Sequence, residues 1–577
     1  MLLRENATEE KLAGRYFTPI NLADYIVEWT TNQRNIDNIL EPSCGDGVFL
    51  ECLENRNLEN RCNIKAIEID ESASRLANER INNSFRFDSY NNFIENQAIA
   101  LAENRNLDDD NGCYIINDDF YNVYENRLRE QRFQAIVGNP PYIRYQYLSE
   151  LQREEQNQIL IRNQMRSNKL INAWVSFVVA CVQMLDDNSR LGLVIPAELL
   201  QVSYAEDLRK FLMRNLQRTT IVTFRELVFP EVEQEVVLLL GEKDVTHKDE
   251  HQLRIIEYKN INELIAENNI DEYEFYDVEI NESKWTKYFL TAADLRLIND
   301  IKTNENFVKF SDIAKIEVGI TTGNNDYFCV NKETVDKYRL ENVCRPLIAR
   351  SVNINGVIFT QEDWRENISK GAKTYLIDFP NIEYEHYPAL HKKYIEYGEK
   401  NKQNEGYKCR IREKWYKVPS IWIPDAFFLR RNYLYPKFML NSEEVRAVST
   451  DTMHRVRFNI PENRKRVLLG YYNSISLAFT EIEGRSYGGG VLEILPKEAG
   501  RIIMPNLSDR KLIPDYIVDE LVNNIDIYIR ENRDILEVLD EMDRRILMDI
   551  IGLDEQLVLA FRKMWLILRE RRLNRGR

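Results

Sequence analysis

The first 245 residues alternate short apolar runs with helical patterns. The runs are almost continuously apolar, which is typical of strands covered by helices on both faces. The predicted strands are 36–40, 64–69, 114–116, 133–137, 191–195, 220–224 and 235–240, and the last two are expected to pair antiparallel. The predicted helices are 20–31, 72–83, 172–185 and 204–216. Thr18 is expected to cap the first helix, with Pro19 at its first position.

The residue composition and the pattern of apolar positions change twice after this α/β region. Residues 246–310 are polar and rich in charge, and we interpret them as a connecting region. From 311 to 514, strand-like pieces rich in Tyr, Trp and Ile are separated by Gly, Asn and Pro turns. Two long helical patterns, 515–549 and 553–574, close the chain. We therefore predict an α/β domain at 1–245, a mixed α+β domain at 311–514 and a helical segment at 515–577.

Composition favours an ordinary globular protein, because 44% of the 577 residues are hydrophobic and 29% are charged. We find no apolar stretch long enough to span a bilayer and no signal peptide, so we expect a cytoplasmic protein without a membrane partner. The eight cysteines form no CxxC pair and there are five histidines, so we expect no metal site.

Net charge is −16, which taken alone argues against nucleic acid as a partner. The distribution of charge changes that interpretation. Between Lys400 and Gly470 there are 16 Lys and Arg against 7 Asp and Glu, a local net charge of +9. A basic stretch inside an acidic chain indicates a surface that binds phosphates, although a solvated face would have the same composition.

The strongest chemical signal is Asn139-Pro140-Pro141-Tyr142, directly after a predicted strand. An exocyclic amine on a nucleobase is a poor nucleophile, because its lone pair is delocalised into the ring. The side-chain oxygen of Asn139 and the carbonyl of Pro140 can accept its two N–H groups. Tyr142 offers a flat face for stacking on the base. This tetrapeptide indicates transfer of a group to a planar amine.

Three further strand ends carry polar residues in order. Residues 41–49 (EPSCGDGVF) form a turn whose glycines allow a ligand close to the backbone. Glu68 ends the next strand, where a carboxylate can accept both ribose hydroxyls of a nucleoside cofactor. Asp118, Asp119 and Phe120 end the third, where a carboxylate and a ring can hold an adenine. Together these residues indicate a nucleoside cofactor beside the amine site.

The segments 14–19 (GRYFTP), 41–49, 68–70 (EID), 118–120 (DDF) and 139–142 (NPPY), in this order, resemble the gamma-class N6-adenine DNA methyltransferases. The resemblance covers essentially the whole chain and is looser beyond residue 240. It implies a class I methyltransferase fold, with a Rossmann-like mixed sheet of seven strands, followed by a target-recognition domain and C-terminal helices. It also implies S-adenosylmethionine as the methyl donor and double-stranded DNA as the substrate.

The resemblance assigns roles to individual residues. It implies that the cofactor is bound by Thr18, Pro19, Glu41, Pro42, Cys44, Gly45, Glu68, Ile69, Asp119 and Phe120. The catalytic residues would be Asn139, Pro140 and Tyr142. Pro141 would lie at the target base, and Phe229 would contact the base opposite Tyr142, although Phe224 is a neighbouring alternative. The first turn begins with Glu41 where the family more often has Asp, a conservative change.

For DNA contacts we select five basic residues of the +9 stretch: Arg410, Arg412, Lys414, Arg430 and Arg431. The turns 319–326 and 485–490 resemble turns of recognition domains in this family. We expect a monomer or weak dimer, either solitary or working with a separate restriction endonuclease. The alternatives are an RNA methyltransferase, a protein-glutamine methyltransferase and a DNA-specificity subunit without catalytic activity. A cytosine-N4 enzyme would more typically have Ser at the position of Asn139.

Overall fold

A computed structural model describes residues 17–32, 36–56, 62–88, 112–229, 235–244, 246, 250–278 and 284–574. The chain divides into two compact units, the first ending at Phe289 and the second spanning Leu290–Asn574. Within the described residues, no helix is both long and apolar enough to cross a membrane.

One mixed sheet forms the centre of the first unit. Its ten described strands are β1 (Asn38–Glu41), β2 (Asn63–Glu68), β3 (Arg86–Asp88), β4 (Cys113–Asn117), β5 (Phe133–Gly138), β6 (Leu185–Pro196), β7 (Arg218–Phe224), β8 (Val236–Lys243), β9 (Gln252–Tyr258) and β10 (Tyr276–Asp277). The helices of this unit are α1 (Ile20–Thr31), α2 (Val48–Glu54), α3 (Glu71–Arg80), α4 (Phe120–Val123), α5 (Glu150–Arg162), α6 (Ala173–Met184), α7 (Glu206–Asn215) and α8 (Ile261–Glu267).

The strand order is β10-β9-β7-β8-β6-β5-β1-β2-β4-β3. Strands β4, β2, β1, β5 and β6 run parallel, and β8 pairs antiparallel with both β6 and β7. All seven predicted strands therefore belong to this ten-stranded sheet, and β7 and β8 form the predicted antiparallel pair. Because β1, β2, β4 and β5 are parallel and adjacent, their carboxyl ends meet at one edge, where α/β sheets bind ligands.

The predicted connecting region differs from what the structure shows. Strand β9 pairs parallel with β7 along its whole length, and β10 pairs with β9, so both extend the sheet. Arg254 explains why a polar pattern hid a buried strand: its guanidinium donates to Thr220 Oγ1 over 2.8 Å and bonds Asp271. The first unit consequently continues to Phe289, beyond the expected boundary at residue 245.

The second unit is a mixed α+β structure. Its strands are β11 (Phe307–Lys309), β12 (Ala314–Val318), β13 (Cys329–Val330), β14 (Cys344–Ile348), β15 (Ile358–Phe359), β16 (Tyr375–Ile377), β17 (Ala426–Leu429), β18 (Arg431–Asn432), β19 (Phe438–Asn441), β20 (Val448–Ser449), β21 (Met453–Phe458), β22 (Arg485–Tyr487), β23 (Val491–Glu493) and β24 (Ile503–Pro505). Its largest described sheet has the order β12-β21-β17-β19-β15.

Helices make up much of the rest of this unit. They are α9 (Ala292–Thr303), α10 (Phe310–Ile313), α11 (Asn325–Phe328), α12 (Lys332–Tyr338), α13 (Gln361–Ser369), α14 (Ala389–Lys400), α15 (Tyr407–Arg410), α16 (Arg464–Tyr471), α17 (Ser474–Glu483), α18 (Pro496–Ala499), α19 (Asp515–Arg530), α20 (Ile535–Met542) and α21 (Glu555–Asn574). The last three correspond to the predicted C-terminal helices. They belong to the same compact unit as residues 311–514, because α17 packs on α21 and α16 on α19.

Candidate active site

A cavity of about 310 Å³ lies at the carboxyl ends of β1, β2, β4 and β5. Residues from all of the motifs in the first 142 positions line it. Among the predicted site residues, those lining it are Thr18, Glu41, Pro42, Cys44, Gly45, Glu68, Ile69, Asp119, Phe120, Asn139 and Pro141. Residues far apart in sequence thus converge on one space, which reaches the size of typical small-ligand pockets.

Glu41 is the most unusual group in this cavity. It ends β1, is 1% exposed, and neither carboxylate oxygen has a hydrogen-bond partner among the described residues. Burial raises the pKa of Glu41 well above its ordinary value, and the nearby Glu68 and Asp46 add to the rise. A buried carboxyl group without a partner is costly unless a ligand supplies one. The site therefore fits a ligand with a cationic group, as S-adenosylmethionine has.

The turn after β1 packs closely against α3 and leaves no room for a side chain at Gly47. Gly47 has φ +85, and a Cβ on it would lie 2.8 Å from the backbone of Ala77 in α3. The carboxylate of Glu68 is fixed by backbone donors, accepting from Gly45 N over 3.0 Å and from Asp70 N over 2.9 Å. These bonds fix the Glu68 carboxylate in the lining of the cavity.

Asp119 and Phe120 form another wall. Asp119 caps α4, its Oδ1 accepting from Tyr121 N over 2.8 Å, and its Oδ2 accepts from Gln152 Nε2 over 2.6 Å. The ring of Phe120 stacks on Phe177 of α6 with centroids 4.2 Å apart. Ile69, which also lines the cavity, is 57% exposed. A carboxylate beside apolar surfaces suits a flat base that carries an amino group.

The predicted catalytic loop follows β5. The Asn139 side chain lies against the segment before α1, with Nδ2 donating to Thr18 Oγ1 over 3.1 Å. Its backbone carbonyl accepts from Ser43 Oγ over 3.2 Å. These bonds tie the loop to the turn after β1 and orient the amide, so that Oδ1 is the atom able to accept from a substrate amine.

Three of the predicted residues near this loop lie outside the cavity lining: Pro140, Tyr142 and Phe229. Tyr142 is half-buried, and its hydroxyl donates to the carbonyl of Val194 in β6 over 3.1 Å. It packs against the apolar cluster that contains both Phe229 and Phe224. The two expected base-stacking aromatics therefore belong to one region, beside the cavity.

The start of α1 differs from the prediction. Pro19 takes the cap position and α1 begins at Ile20, because the Thr18 hydroxyl accepts from Asn139 instead of capping the helix. Pro19 is not a lining residue of the cavity. Lining residues that the sequence did not indicate include Phe17, Gln152 and Phe177. Phe17 lies inside the quoted segment 14–19 but was not selected, whereas Gln152 and Phe177 lie on helices that carry no motif.

Many basic residues of the +9 stretch have internal partners. Ion pairs are Lys414 with Glu383, Arg430 and Arg431 with Glu493, Arg464 with Glu443, Lys465 with Asp519, and Arg466 with Asp515. Arg412 donates to the carbonyl of Thr321 over 3.1 Å, and burial lowers its pKa. Of the five selected residues, Arg410 and Arg431 are exposed. Apart from Glu443, these acidic partners lie outside residues 400–470, so the local net charge overstated the free positive surface.

Helix α15 presents a basic surface together with exposed apolar side chains. Lys408 and Arg410 are exposed, and Tyr407 and Ile411 are 66% and 60% exposed. Cys409 between them is fully buried and anchors the segment. The turn 319–326 supports it from below, where a Cβ on Gly323 would lie 2.8 Å from Lys408 Cβ. We call Tyr407, Lys408, Arg410 and Ile411 the α15 surface.

Two family models match consecutive parts of the chain. The model of the Eco57I restriction-modification methylase matches residues 62–229. The model of the C-terminal domain of the Type II methyltransferase M.Eco57I matches residues 282–547. Their order agrees with the two compact units.

Individual relatives agree with these matches. Type II methyltransferase M.AccI of Acinetobacter calcoaceticus is 24% identical over 564 residues, covering 92% of this chain and 93% of the relative. Type II methyltransferase M.HincII of Haemophilus influenzae is 29% identical over 226 residues, covering 39% of this chain and 36% of the relative. The structure of the Type IIL restriction-modification enzyme MmeI in complex with DNA has the same fold, with a TM-score of 0.54 at 12% identity, covering 96% of this chain and 75% of that one.

Proposed function

We propose that the chain, which the two family models and M.AccI match, is a Type II restriction-modification methyltransferase. It would methylate the N6 amine of an adenine flipped out of double-stranded DNA. One observation carries the proposal: Asn139 lines the same cavity as Glu41, Glu68 and Asp119. An amine bound at Asn139 would meet the ligand held by the three carboxyl groups.

The cofactor would be S-adenosylmethionine, which supplies a methyl group on a sulfonium. Asp119 would accept from its adenine amino group, Glu68 would accept its ribose hydroxyls, and Glu41 would face a cationic group. The position of Glu41 beside the catalytic loop supports this orientation, because β1 pairs with β5 and a Cβ on Gly138 would lie 3.6 Å from Glu41 Cγ. The methyl group would then lie next to the catalytic loop.

The loop acts on the target amine. Asn139 Oδ1 and the Pro140 carbonyl would accept its two N–H groups, which binds the amine and stabilises the positive charge that develops on nitrogen. The nitrogen gains the methyl group and then loses one proton to solvent. Holding amine and methyl group in line supplies much of the rate. Tyr142 would stack on the flipped base, with Phe229 on the other side.

DNA would contact the second unit through the α15 surface. Its two cations suit backbone phosphates, and its exposed tyrosine and isoleucine suit the apolar faces within a groove. The predicted contacts Arg412 and Lys414 support this surface from the inside, because their polar atoms bind the carbonyls of Thr321 and Ile382.

Replacement of Asn139 by alanine tests the catalytic assignment. We expect the purified variant to bind S-adenosylhomocysteine and DNA like the wild type, while methyl transfer falls by about a hundredfold or more, the usual cost of losing a charge-stabilising group. Transfer of a labelled methyl group to duplex DNA, followed by nucleoside analysis, measures both rate and product. Wild-type activity in the variant would remove Asn139 from the mechanism, and labelled RNA or protein in place of DNA would identify another substrate class.

A further inference from the structure

Gln152 lies in the first turn of α5 and lines the cavity, although no motif contains it. Its side chain is held at both ends. The oxygen Oε1 accepts from Ser149 N over 2.9 Å, while Ser149 Oγ accepts from Gln152 N over 3.1 Å, which together form a capping box. Because Oε1 accepts from the backbone at the start of α5, the Nε2 group of the same amide points away from the start of this helix.

The target of Nε2 is Asp119, whose Oδ2 accepts this hydrogen bond over 2.6 Å. The other oxygen of Asp119 accepts from Tyr121 N. The carboxylate is therefore fixed from two sides, by the start of α4 and by the start of α5. Since α5 is the next α-helix after the catalytic loop, Gln152 links the segment that follows this loop to Asp119 in the cavity lining.

We propose that Gln152 is a positioning residue, which orients the Asp119 carboxylate to recognise the amino group of the cofactor's adenine. This inference rests on the proposed function, because it assigns Asp119 to that adenine. Gln152 would act through Asp119 and would make the site selective for a 6-amino purine.

The surroundings explain why an amide serves here. Asp118, Asp119 and Glu155 concentrate negative charge, and burial together with Asp119 raises the pKa of Glu155 to about 7. A capping box accepts Glu as readily as Gln at this position. Only Gln also donates a hydrogen bond to Asp119, whereas a glutamate would keep the cap and repel the carboxylate. The capping box alone does not require glutamine at position 152. The hydrogen bond to Asp119 is therefore the feature that favours Gln over Glu there.

Ligand discrimination tests this role in the full-length protein. Calorimetry would compare S-adenosylhomocysteine with S-inosylhomocysteine, which has an oxygen in place of the 6-amino group. We expect the wild type to prefer the adenosyl ligand, and expect Gln152→Glu and Gln152→Ala to reduce that preference by about tenfold or more, as for a hydrogen bond to a charged group. The control Ser149→Ala breaks the capping box but keeps the amide donor, and should retain the preference.

The outcomes are separable. If both Gln152 variants fold, as judged by circular dichroism, and keep the wild-type preference while Asp119→Asn loses it, Gln152 does not position Asp119. Equal weakening of both ligands would assign Gln152 a general structural role and would also overturn the inference. If the wild type binds neither ligand, the proposed function fails and not merely the role of Gln152.

Discussion

The protonation of Glu41 provides a sharp test of the cofactor site. Its buried carboxyl group lacks a hydrogen-bond partner among the described residues, and its pKa is raised well above the ordinary value by burial, by Glu68 and by Asp46. The ligand-free protein should therefore keep a proton on Glu41 at pH values where an exposed glutamate is already ionised. A cationic ligand favours the carboxylate, so its binding should release that proton.

The size of the effect follows from linkage. Below the raised pKa, release of one proton makes the affinity increase tenfold for each pH unit, which corresponds to about 1.4 kcal/mol per unit. Above the raised pKa the affinity becomes independent of this group. Titration calorimetry with S-adenosylmethionine between about pH 5.5 and 7.5, in buffers that differ in ionisation enthalpy, measures the number of protons released. We expect about one at the acidic end of this range.

The matched control is Glu41→Gln, which keeps the shape of the side chain and cannot ionise. It should bind more weakly at pH 7.5, with no proton release and no dependence on pH below it. Binding by the wild type without proton release, or an unchanged pH slope in the glutamine variant, would refute the assignment of Glu41 to a cationic part of the ligand.

Other predictions concern stacking, DNA and packing. Tyr142→Ala should lower methyl transfer by about ten- to a hundredfold through lost stacking, whereas Tyr142→Phe keeps the ring and should cost much less; equal losses in a steady-state assay would exclude stacking. Reversing the charge of Lys408 and Arg410 should weaken DNA binding and reduce the slope of log affinity against log salt concentration by about two. Lys497→Glu is the control. An unchanged slope would show that DNA does not bind at the α15 surface. Gly319→Ala should destabilise the protein by about 1–3 kcal/mol in denaturant unfolding, because a Cβ there would lie 1.9 Å from the carbonyl oxygen of Thr450. Wild-type stability of this variant would show that the backbone around residue 319 can shift without cost.

Apolar runs were enough to predict the seven central strands, because most of their residues are buried and apolar on both faces of the sheet. Helix α1 was predicted at its observed bounds, yet its cap was not, since the Thr18 hydroxyl bonds Asn139, more than a hundred positions away. Strand β9 escaped prediction because a buried arginine interrupts its apolar pattern, and only the fold provides the partners that make that burial tolerable.

The candidate site was predictable where motifs end strands and unpredictable where helices contribute single residues. Glu68 and Asp119 were found from their places after apolar runs, and the structure brings both into one cavity. Phe177 and Gln152 enter the same cavity from α6 and α5 on the basis of tertiary packing alone. In the second unit, the long-range ion pairs of Lys465 and Arg466 with residues of α19 are invisible to local charge counting.

The most direct test of the central claim is expression of the chain in a host without adenine methylation, followed by mapping of modified bases across the host genome. The account predicts N6-methyladenine at one position of a fixed sequence, and its loss with Asn139→Ala. Genomic DNA left unmodified by a folded protein that binds S-adenosylhomocysteine, or methylation of a base other than adenine, would contradict it.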